Sequence, residues 1–191
     1  MKLGIISDTH DDIDNVRMAI DIFNRETVKY VIHAGDYVFP GVVMEFKRMN
    51  AKLIGVLGNN DGEKVHLLKA FLEIGGELKG ELGEFTIDDL RIGIYHGTST
   101  EIKRHLIESD RYHIIVCGHT HRREPAGVDR GSIPKNTSTL VLNPGTGHKK
   151  VESVVGTFLE GGVIQRLENT STSTYHSLEH LYGFSKLLDL Q

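Results

Sequence analysis

The sequence predicts an α/β fold in which two β-sheets pack face to face and helices lie outside them. In the first part of the chain, short apolar runs alternate with helical patterns, which is typical of parallel strands joined by right-handed crossovers. In the later part, closely spaced apolar runs separated by turn signals are typical of antiparallel strands. The chain has 191 residues, of which 39% are hydrophobic and 25% charged. This is enough for one domain with a substantial core.

The first part of the chain predicts three strands, each followed by a helix. The strands are short apolar runs at residues 2–7, 30–33 and 52–57. The helices are expected at residues 12–24, 41–49 and 65–72, where apolar residues recur at roughly helical spacing. Gly75 and Gly76 follow the third helix and form a helix stop signal. The parallel arrangement follows from this strand–helix alternation.

The later part predicts a β-rich region with one further helix. Strands are expected at residues 84–87, 90–95, 112–117, 139–142, 151–159 and 163–167, and a helix at residues 101–108. The first two strands form a hairpin around Asp88 and Asp89. We therefore assign residues 1–168 to one domain.

Residues 169–191 differ in character from the rest. Residues 169–174 are only Asn, Thr and Ser, which is typical of a polar linker. The apolar residues beyond them, Leu178, Leu181, Phe184, Leu187 and Leu188, fall close to one helical face. We expect a terminal helix that docks on its own domain or frays in solvent, with homo-oligomerisation through this tail as the alternative.

Composition limits the classes of function. The net charge of −4 gives no support to non-specific nucleic-acid binding, which needs a positive surface. The single cysteine, Cys117, excludes an internal disulfide and is expected to be a small buried hydrophobe. No apolar run approaches a membrane span, and the N-terminal run is too short for a signal peptide. A cytoplasmic protein is the prediction.

Five predicted strands end at side chains that can bind metal ions. These side chains are Asp8 and His10, Asp36, Asn59 with Asn60 and Asp61, His96, and His119 with His121. Ligands bind at the carboxyl ends of the strands in open α/β sheets, so these side chains should converge there. Carboxylate, imidazole and amide donors without a thiolate suit Mn²⁺, Fe, Zn²⁺ or Mg²⁺. Seven of these nine side chains as ligands would be too many for one tetrahedral ion and fit two ions that share a carboxylate.

These motifs, taken together, resemble those of the calcineurin-like metallophosphoesterase superfamily. The series is Asp8-x-His10, Gly35-Asp36, Gly58-Asn59-x-Asp61, His96 and Gly118-His119-x-His121, followed by Asn143-Pro144-Gly145-Thr146. The last turn resembles the small single-domain microbial phosphodiesterases and the related retromer subunit. The resemblance implies a four-layer α/β/β/α sandwich of two mixed sheets flanked by helices. It leaves the tail unmatched.

The resemblance also implies a ligand set and a reaction. Asp8, His10, Asp36 and His121 would hold the first ion, and Asp36, Asn59, His96 and His119 the second, with Asp36 bridging. Mn²⁺ is the first choice of metal, and Ni²⁺, Fe, Zn²⁺ and Mg²⁺ are alternatives. A hydroxide bridging two divalent ions would attack phosphorus in line and hydrolyse a small phosphodiester. The alternatives are a non-catalytic protein-interaction scaffold of the same fold, a phosphomonoesterase or protein phosphatase, and, less favoured by the charge, a nuclease.

Position 60 departs from the family pattern. Many family members have histidine after the motif asparagine, whereas this chain has Asn60. An amide can hydrogen-bond a phosphoryl oxygen but cannot act as a general acid near neutral pH. We therefore expect a modest enzyme that prefers phosphodiesters with good leaving groups. Asn60 and Asp61 are the predicted catalytic residues, and Asp61 is expected to act by orienting the site. Asn60 and Arg122 are predicted to bind substrate. The alternative for Arg122 is a solvated surface charge.

His33 precedes Ala34-Gly35-Asp36 and therefore lies close to a predicted ligand. A histidine at the end of a buried strand is expected to be a hydrogen-bonded core residue. The alternative is that His33 supports the neighbouring predicted ligand, Asp36.

Overall fold

The computed structural model describes residues 1–124, 139–147, 152–158, 164–171 and 176–177. Its helices are α1 (Ile13–Arg25), α2 (Pro40–Glu45, continued by a 3-10 turn Phe46–Arg48), α3 (Lys64–Glu73) and α4 (Thr100–Glu108). Its strands are β1 (Lys2–Ile6), β2 (Tyr30–His33), β3 (Lys52–Gly55), β4 (Glu77–Leu78), β5 (Leu82–Ile87), β6 (Leu90–Tyr95), β7 (Ile114–Val116), β8 (Arg123–Glu124), β9 (Leu140–Pro144), β10 (Glu152–Phe158), β11 (Ile164–Ser171) and β12 (His176–Ser177).

The strands form two mixed sheets. The first has the order β12-β11-β10-β1-β2-β3-β4, and the second has the order β5-β6-β7-β9-β8. Strands β1 to β4 run parallel, as do β6, β7 and β9, while the outer pairings are antiparallel. The predicted strand–helix units in the first part of the chain are confirmed.

The described part of the core has three apolar layers, because successive strand residues point to opposite faces. In β1, Leu3 and Ile5 pack between the two sheets, while Ile6 packs under the helices that follow. In β7, Ile114 belongs to the layer between the sheets and Ile115 to the layer under α4. Four structural layers result, α1–α3, first sheet, second sheet and α4, which confirms the predicted sandwich.

Local signals explain where the main helices begin. Asp12 caps α1 by accepting a hydrogen bond from the backbone N–H of Asn15, and Ser99 caps α4 in the same way through Ile102. Pro40 occupies the first turn of α2, where its missing N–H costs no helical hydrogen bond. These starts fall within one residue of the predicted positions.

The sequence predicted the late strands but not the sheet that each one joins. Strands β10 and β11 join the first sheet, with β10 antiparallel to β1. The two-residue strands β4 and β8 were not predicted, and β11 continues to Ser171, inside the stretch predicted as a linker. Beyond β12 the tail lies outside the described residues, so its helix, its role in oligomerisation and the domain boundary stay predictions.

Two compositional expectations bear on the described residues. Cys117 is fully buried in the layer under α4, as predicted. Among the described residues, no helix combines the length and apolar character needed to span a bilayer. The cytoplasmic location stays a prediction.

Candidate metal centre

The seven predicted ligands lie together where β1, β2, β3, β6 and β7 end. Each follows a strand within a few residues, in the segments we call the β1 loop (residues 7–10), the β2 loop (34–39) and the β3 loop (56–62), and in the turns after β6 and β7. The convergence predicted from the strand ends is therefore found.

One group of donors comes from the β1 loop and the turn after β7. Ligand atoms of Asp8, His10 and His121 lie within 4.8 Å of one another. The Nε2 atom of His121 lies 3.2 Å from Asp8 Oδ1 and 3.4 Å from His10 Nε2. Asp8 is buried, His10 is half-buried and His121 is exposed, so the group opens to solvent on its histidine side.

A second group lies beside it. Asp8, Asp36 and His96 have ligand atoms within 4.8 Å of one another, and all three side chains are buried. The Nε2 atom of His96 lies 3.3 Å from Asp36 Oδ2 and 3.1 Å from Asn59 Oδ1. The same amide oxygen lies 2.9 Å from His119 Nδ1. Nitrogen and oxygen donors without a thiolate fit divalent ions of hard to intermediate character.

Five of the seven predicted ligand residues have a left-handed backbone. They are Asp8, His10, Asp36, His119 and His121, with φ between 48° and 68°. Asp and His adopt this conformation more readily than most residues, but at a cost of roughly 1–3 kcal/mol each. Such strain concentrates at functional sites because the surrounding structure must hold it in place.

Two glycines are required by close approach at the site. A Cβ atom on Gly58 would collide with Asp36 Oδ1, and one on Gly118 would collide with Ser7 Oγ and Asp8 Oδ2. The glycines of the Gly-Asn and Gly-His motifs therefore make room for the two carboxylates. This is the physical reason for the pattern seen in the sequence.

Hydrogen bonding fixes the orientation of His96. Its Nδ1–H donates to the carbonyl of Ala34 at 2.7 Å, which leaves Nε2 facing the donors of the second group. Burial opposes protonation of His96, but the carboxylates of Asp36 and Asp8 outweigh it and raise its pKa. A ligand histidine held by a carbonyl in this way is a common support for metal sites.

The two carboxylates differ in their electrostatics. Burial raises the pKa of Asp8 above its usual value, against smaller opposing effects of Ser7, His96 and His121. Burial acts in the same direction on Asp36, but hydrogen bonds from His96 and Asn60 outweigh it and hold the pKa of Asp36 below its usual range. Asp36, the residue predicted to bridge, is therefore the more readily ionised carboxylate.

The predicted catalytic residues lie next to Asp36. Asn60 donates its backbone N–H to Asp36 Oδ1 at 2.9 Å and its side-chain amide to Oδ2 at 2.8 Å. Asp61 is buried and accepts four backbone N–H groups, from Asp36, Tyr37, Val38 and Gly58, at 2.7–2.9 Å. Its carboxylate is thus occupied in holding the β2 and β3 loops together.

Arg122 follows His121 and is exposed. Its backbone N–H donates to Thr120 Oγ1 at 3.3 Å. Contact between its guanidinium and a substrate phosphate stays a prediction.

The Asn-Pro-Gly-Thr turn, Asn143 to Thr146, makes hydrogen bonds to the β1 loop and to the turn after β7. The Asn143 amide donates to the Gly118 carbonyl at 2.8 Å and to Thr120 Oγ1 at 3.1 Å. Thr146 Oγ1 donates to the Asp8 carbonyl at 2.9 Å. The turn therefore contacts two ligand-bearing segments, which explains why it accompanies the other motifs.

His33 and Thr9 form a buried contact behind the ligands. His33 Nε2 lies 2.9 Å from Thr9 Oγ1, and His33 Nδ1 accepts from the Gly35 N–H at 3.1 Å. The ring stacks on Tyr37 with a centroid separation of 3.9 Å. Burial, with a smaller contribution from His96, lowers the pKa of His33 to about 3, so the imidazole is neutral. Sequence reasoning left His33 open and missed Thr9, because an ordinary threonine between two ligands carries no signal of its own.

The chain resembles known phosphoesterases in sequence and in structure. The model of the calcineurin-like phosphoesterase superfamily domain matches residues 1–160. Phosphodiesterase MJ0936 of Methanocaldococcus jannaschii is 42% identical over 146 residues, which cover 76% of this chain and 83% of that protein.

Solved structures of phosphoesterase-like proteins are also similar to this chain. A structure described as a novel archaeal phosphodiesterase is 35% identical, has a TM-score of 0.73 and covers 90% of this chain and 99% of its own. Vps29 of Chaetomium thermophilum, 14% identical with a TM-score of 0.65, covers 92% of this chain and 96% of its own and shares the fold alone. The chain therefore belongs to the calcineurin-like phosphoesterase superfamily, as its motifs predicted.

Proposed function

We propose that this chain is a phosphodiesterase that hydrolyses small phosphodiesters with two divalent metal ions. The observation that carries the proposal is the convergence of seven oxygen and nitrogen donors in two adjoining groups at the strand ends. Membership of the superfamily supports a divalent-metal requirement. The 42% identical relative that is named a phosphodiesterase supports the diester as substrate class.

The proposed ligand sets are those that the family resemblance implies; the two donor groups overlap in Asp8, whereas the proposed shared ligand is Asp36. Asp8, His10, Asp36 and His121 hold the first ion, and Asp36, Asn59, His96 and His119 hold the second. Mn²⁺ is our first choice, and the donors also suit Ni²⁺, Fe, Zn²⁺ and Mg²⁺. Asn59 contributes a neutral oxygen, which leaves more positive charge on the second position than a carboxylate would.

When bound, two such ions supply an activated water for in-line attack and positive charge for the phosphate oxygens. The chain's own residues prepare this chemistry. Asp36 is ionised at neutral pH because His96 and Asn60 stabilise its charged form. His96 presents Nε2 because Ala34 holds Nδ1. Preorganised donors of this kind avoid rearrangement during the reaction.

The remaining predicted residues have supporting roles in this proposal. Asn60 fixes both oxygens of Asp36 and, being exposed, can also donate a hydrogen bond to a phosphoryl oxygen. Asp61 positions the β2 and β3 loops rather than reacting, since four backbone N–H groups occupy it. Arg122, next to His121, is proposed to contact the phosphate.

The test is hydrolysis of bis(4-nitrophenyl) phosphate and 4-nitrophenyl phosphate with each metal in turn. We expect diester turnover that needs an added divalent ion and disappears with a chelator. Asp36→Ala should lower kcat by a factor of about 100 or more, because it removes a ligand shared by both ions. Circular dichroism checks that the variant keeps its fold.

Asp14→Ala is the matched control, because the Asp14 side chain is 91% exposed on α1 and its ion pair is with Arg17 of the same helix. It should keep full activity. If wild type shows no turnover with any of the five metals, the scaffold alternative replaces this proposal. Faster turnover of the monoester than of the diester would instead indicate a phosphomonoesterase.

A further inference from the structure

His33 joins two loops that carry ligands of the proposed first metal position. On one side its ring contacts Thr9, which stands between Asp8 and His10 in the β1 loop. On the other side it contacts Gly35, which precedes Asp36 in the β2 loop. Three of the four proposed ligands of the first ion therefore lie on the loops that this one imidazole connects.

The hydrogen bonds determine which nitrogen carries the proton. The Gly35 N–H can only donate, so Nδ1 of His33 is the acceptor and carries no proton. In the neutral ring the proton is then on Nε2, which donates to Thr9 Oγ1 at 2.9 Å. Each ring nitrogen thus makes a directional bond to a different loop, and neither bond can be exchanged for the other.

The surroundings leave the ring little freedom. His33 is fully buried and stacks on Tyr37 at 3.9 Å, and the Tyr37 hydroxyl donates to the His33 carbonyl at 3.2 Å. Phe46 lies edge-on to the same ring with a centroid separation of 6.0 Å. A ring held by packing and bonded at both nitrogens sets the separation of its two partners.

We infer that His33 is a positioning residue that ties the β1 loop to the β2 loop and so sets the geometry of the first metal position. This inference rests on the proposed metal centre. Backbone hydrogen bonds from Asp8 to the Gly35 carbonyl (3.0 Å) and from His10 to the Asp36 carbonyl (2.9 Å) also join these loops, and the His33 ring adds a side-chain link between them. Asp8, His10 and Asp36 have left-handed backbones, which relax unless neighbouring contacts such as these hold them. A histidine that only filled the core would not need bonds to both ligand loops.

The test measures metal affinity in variants that remove the hydrogen bond between Thr9 and His33 by changing Thr9, which disturbs the core less than changing His33. Thr9→Val keeps the shape of the buried threonine and removes its hydroxyl, and Thr9→Ser keeps the hydroxyl. Calorimetric titration of the metal-free proteins with Mn²⁺ gives the affinity, and bis(4-nitrophenyl) phosphate turnover gives kcat and KM. We expect Thr9→Val to lose about 10- to 100-fold in Mn²⁺ affinity and in kcat. KM should change little, and Thr9→Ser should recover most of the affinity.

His33→Asn is a second variant, because its amide oxygen can still accept from Gly35 while the bond to Thr9 is lost. It should match Thr9→Val in Mn²⁺ affinity, and the double variant should be no worse than either single one. Thr139→Val is the matched control, since Thr139 is also buried and its hydroxyl donates to the Tyr112 carbonyl at 2.8 Å in the second sheet. It should lower Tm without changing Mn²⁺ affinity.

The outcomes separate this inference from the proposed function. If wild type binds Mn²⁺ and Thr9→Val and His33→Asn bind it equally tightly, the positioning role is wrong while the metal centre stands. If wild type itself takes up none of the five metals, the proposed metal centre fails and the inference fails with it. A fall in Tm without a fall in affinity would assign His33 to the core alone.

Discussion

Asn60 donates two hydrogen bonds to Asp36 in a position where many family members have histidine. The amide supports the carboxylate and has no proton to give to a leaving group near neutral pH. The departing oxygen must therefore leave as an anion or take its proton from elsewhere. The predicted preference for good leaving groups therefore rests on a single side chain.

Replacing Asn60 by histidine should broaden the range of substrates. General acid catalysis contributes about 10²- to 10⁴-fold, and the gain is largest where the leaving group is poor. We expect Asn60→His to raise kcat/KM for alkyl phosphodiesters by about 10-fold or more relative to 4-nitrophenyl phosphodiesters. The measurement is kcat/KM against leaving-group pKa, whose slope should become shallower than in wild type.

Asn60→Ala is the matched variant, because it removes the amide and adds no acid. It should lower kcat on every substrate by about 10- to 100-fold, since Asp36 loses a supporting bond. Unchanged activity in Asn60→Ala would contradict the role given to this residue.

The convergence of the seven predicted ligands could be expected from the sequence, because each is a metal-capable side chain that closely follows an apolar strand. Their left-handed backbones and the bond between His33 and Thr9 could not. Backbone angles near φ +60° and contacts between residues 24 positions apart depend on how loops meet in space, and no local pattern encodes them. The motif glycines were the one local sign of this crowding.

The β2 and β3 loops are joined through the carboxylate of Asp61. Three of its four N–H donors, on Asp36, Tyr37 and Val38, belong to the β2 loop, and Val38 has a left-handed φ of 68°, which is unfavourable for a β-branched residue. An anion at this point satisfies donors that would otherwise be buried without a partner. The strained loop and the carboxylate therefore depend on each other.

Asp61→Asn should destabilise the protein strongly even without metal. The variant keeps the shape of the side chain. Its amide N–H₂ group, however, cannot accept hydrogen bonds from the backbone N–H groups that it faces, so buried N–H groups lose their partner. Each such loss costs about 1–3 kcal/mol, and we expect a total of about 3 kcal/mol in the free energy of unfolding. Urea denaturation in the presence of a chelator measures it, with Asp14→Asn as the exposed control. A change below about 1 kcal/mol would show that water replaces the carboxylate.

The sheet that each late strand joins was the least predictable property of the secondary structure. The positions of β10 and β11 followed from apolar runs, yet their place beside β1 in the first sheet did not. An apolar strand late in the chain can pair with either sheet, and the choice depends on which edge is left open once the parallel units have formed. The strands β4 and β8 have two residues each and are too short to produce a pattern.

Acid stability of the whole metal-free protein should depend on His33. Its pKa is lowered from 6.5 to about 3, mainly by burial, so below pH 6.5 the unfolded chain binds a proton that the folded protein does not. Stability therefore falls as the pH decreases through this window, with a slope of up to about 1.4 kcal/mol per pH unit. Urea unfolding at several values from pH 7 to about 4.5 should give a steeper slope for wild type than for His33→Gln.

Asp36 and His96 act outside that window, and the raised pKa of Asp8, which opposes the effect of His33 above pH 3.8, is common to wild type and His33→Gln. The lowered pKa of Asp36 removes stability only as the pH falls below its unfolded value of 3.8. The raised pKa of His96 gives stability that is complete below 6.5 and is lost only at higher pH. Equal slopes for wild type and His33→Gln between pH 6.5 and 4.5 would mean that His33 is protonated in the folded state.

The pairing of β1 with β10 also has a consequence for synthesis on the ribosome. Lys2 pairs with Thr157, so the strand that leads to Asp8 and His10 stays open along one side until more than 150 residues have been made. Contacts of such long sequence separation slow folding, because a large loop must close before they form. During translation the half-built first sheet exposes a strand edge that can pair with other chains. The proposed metal centre is therefore completed late in synthesis, after the strand that leads to Asp8 and His10 has gained its second partner.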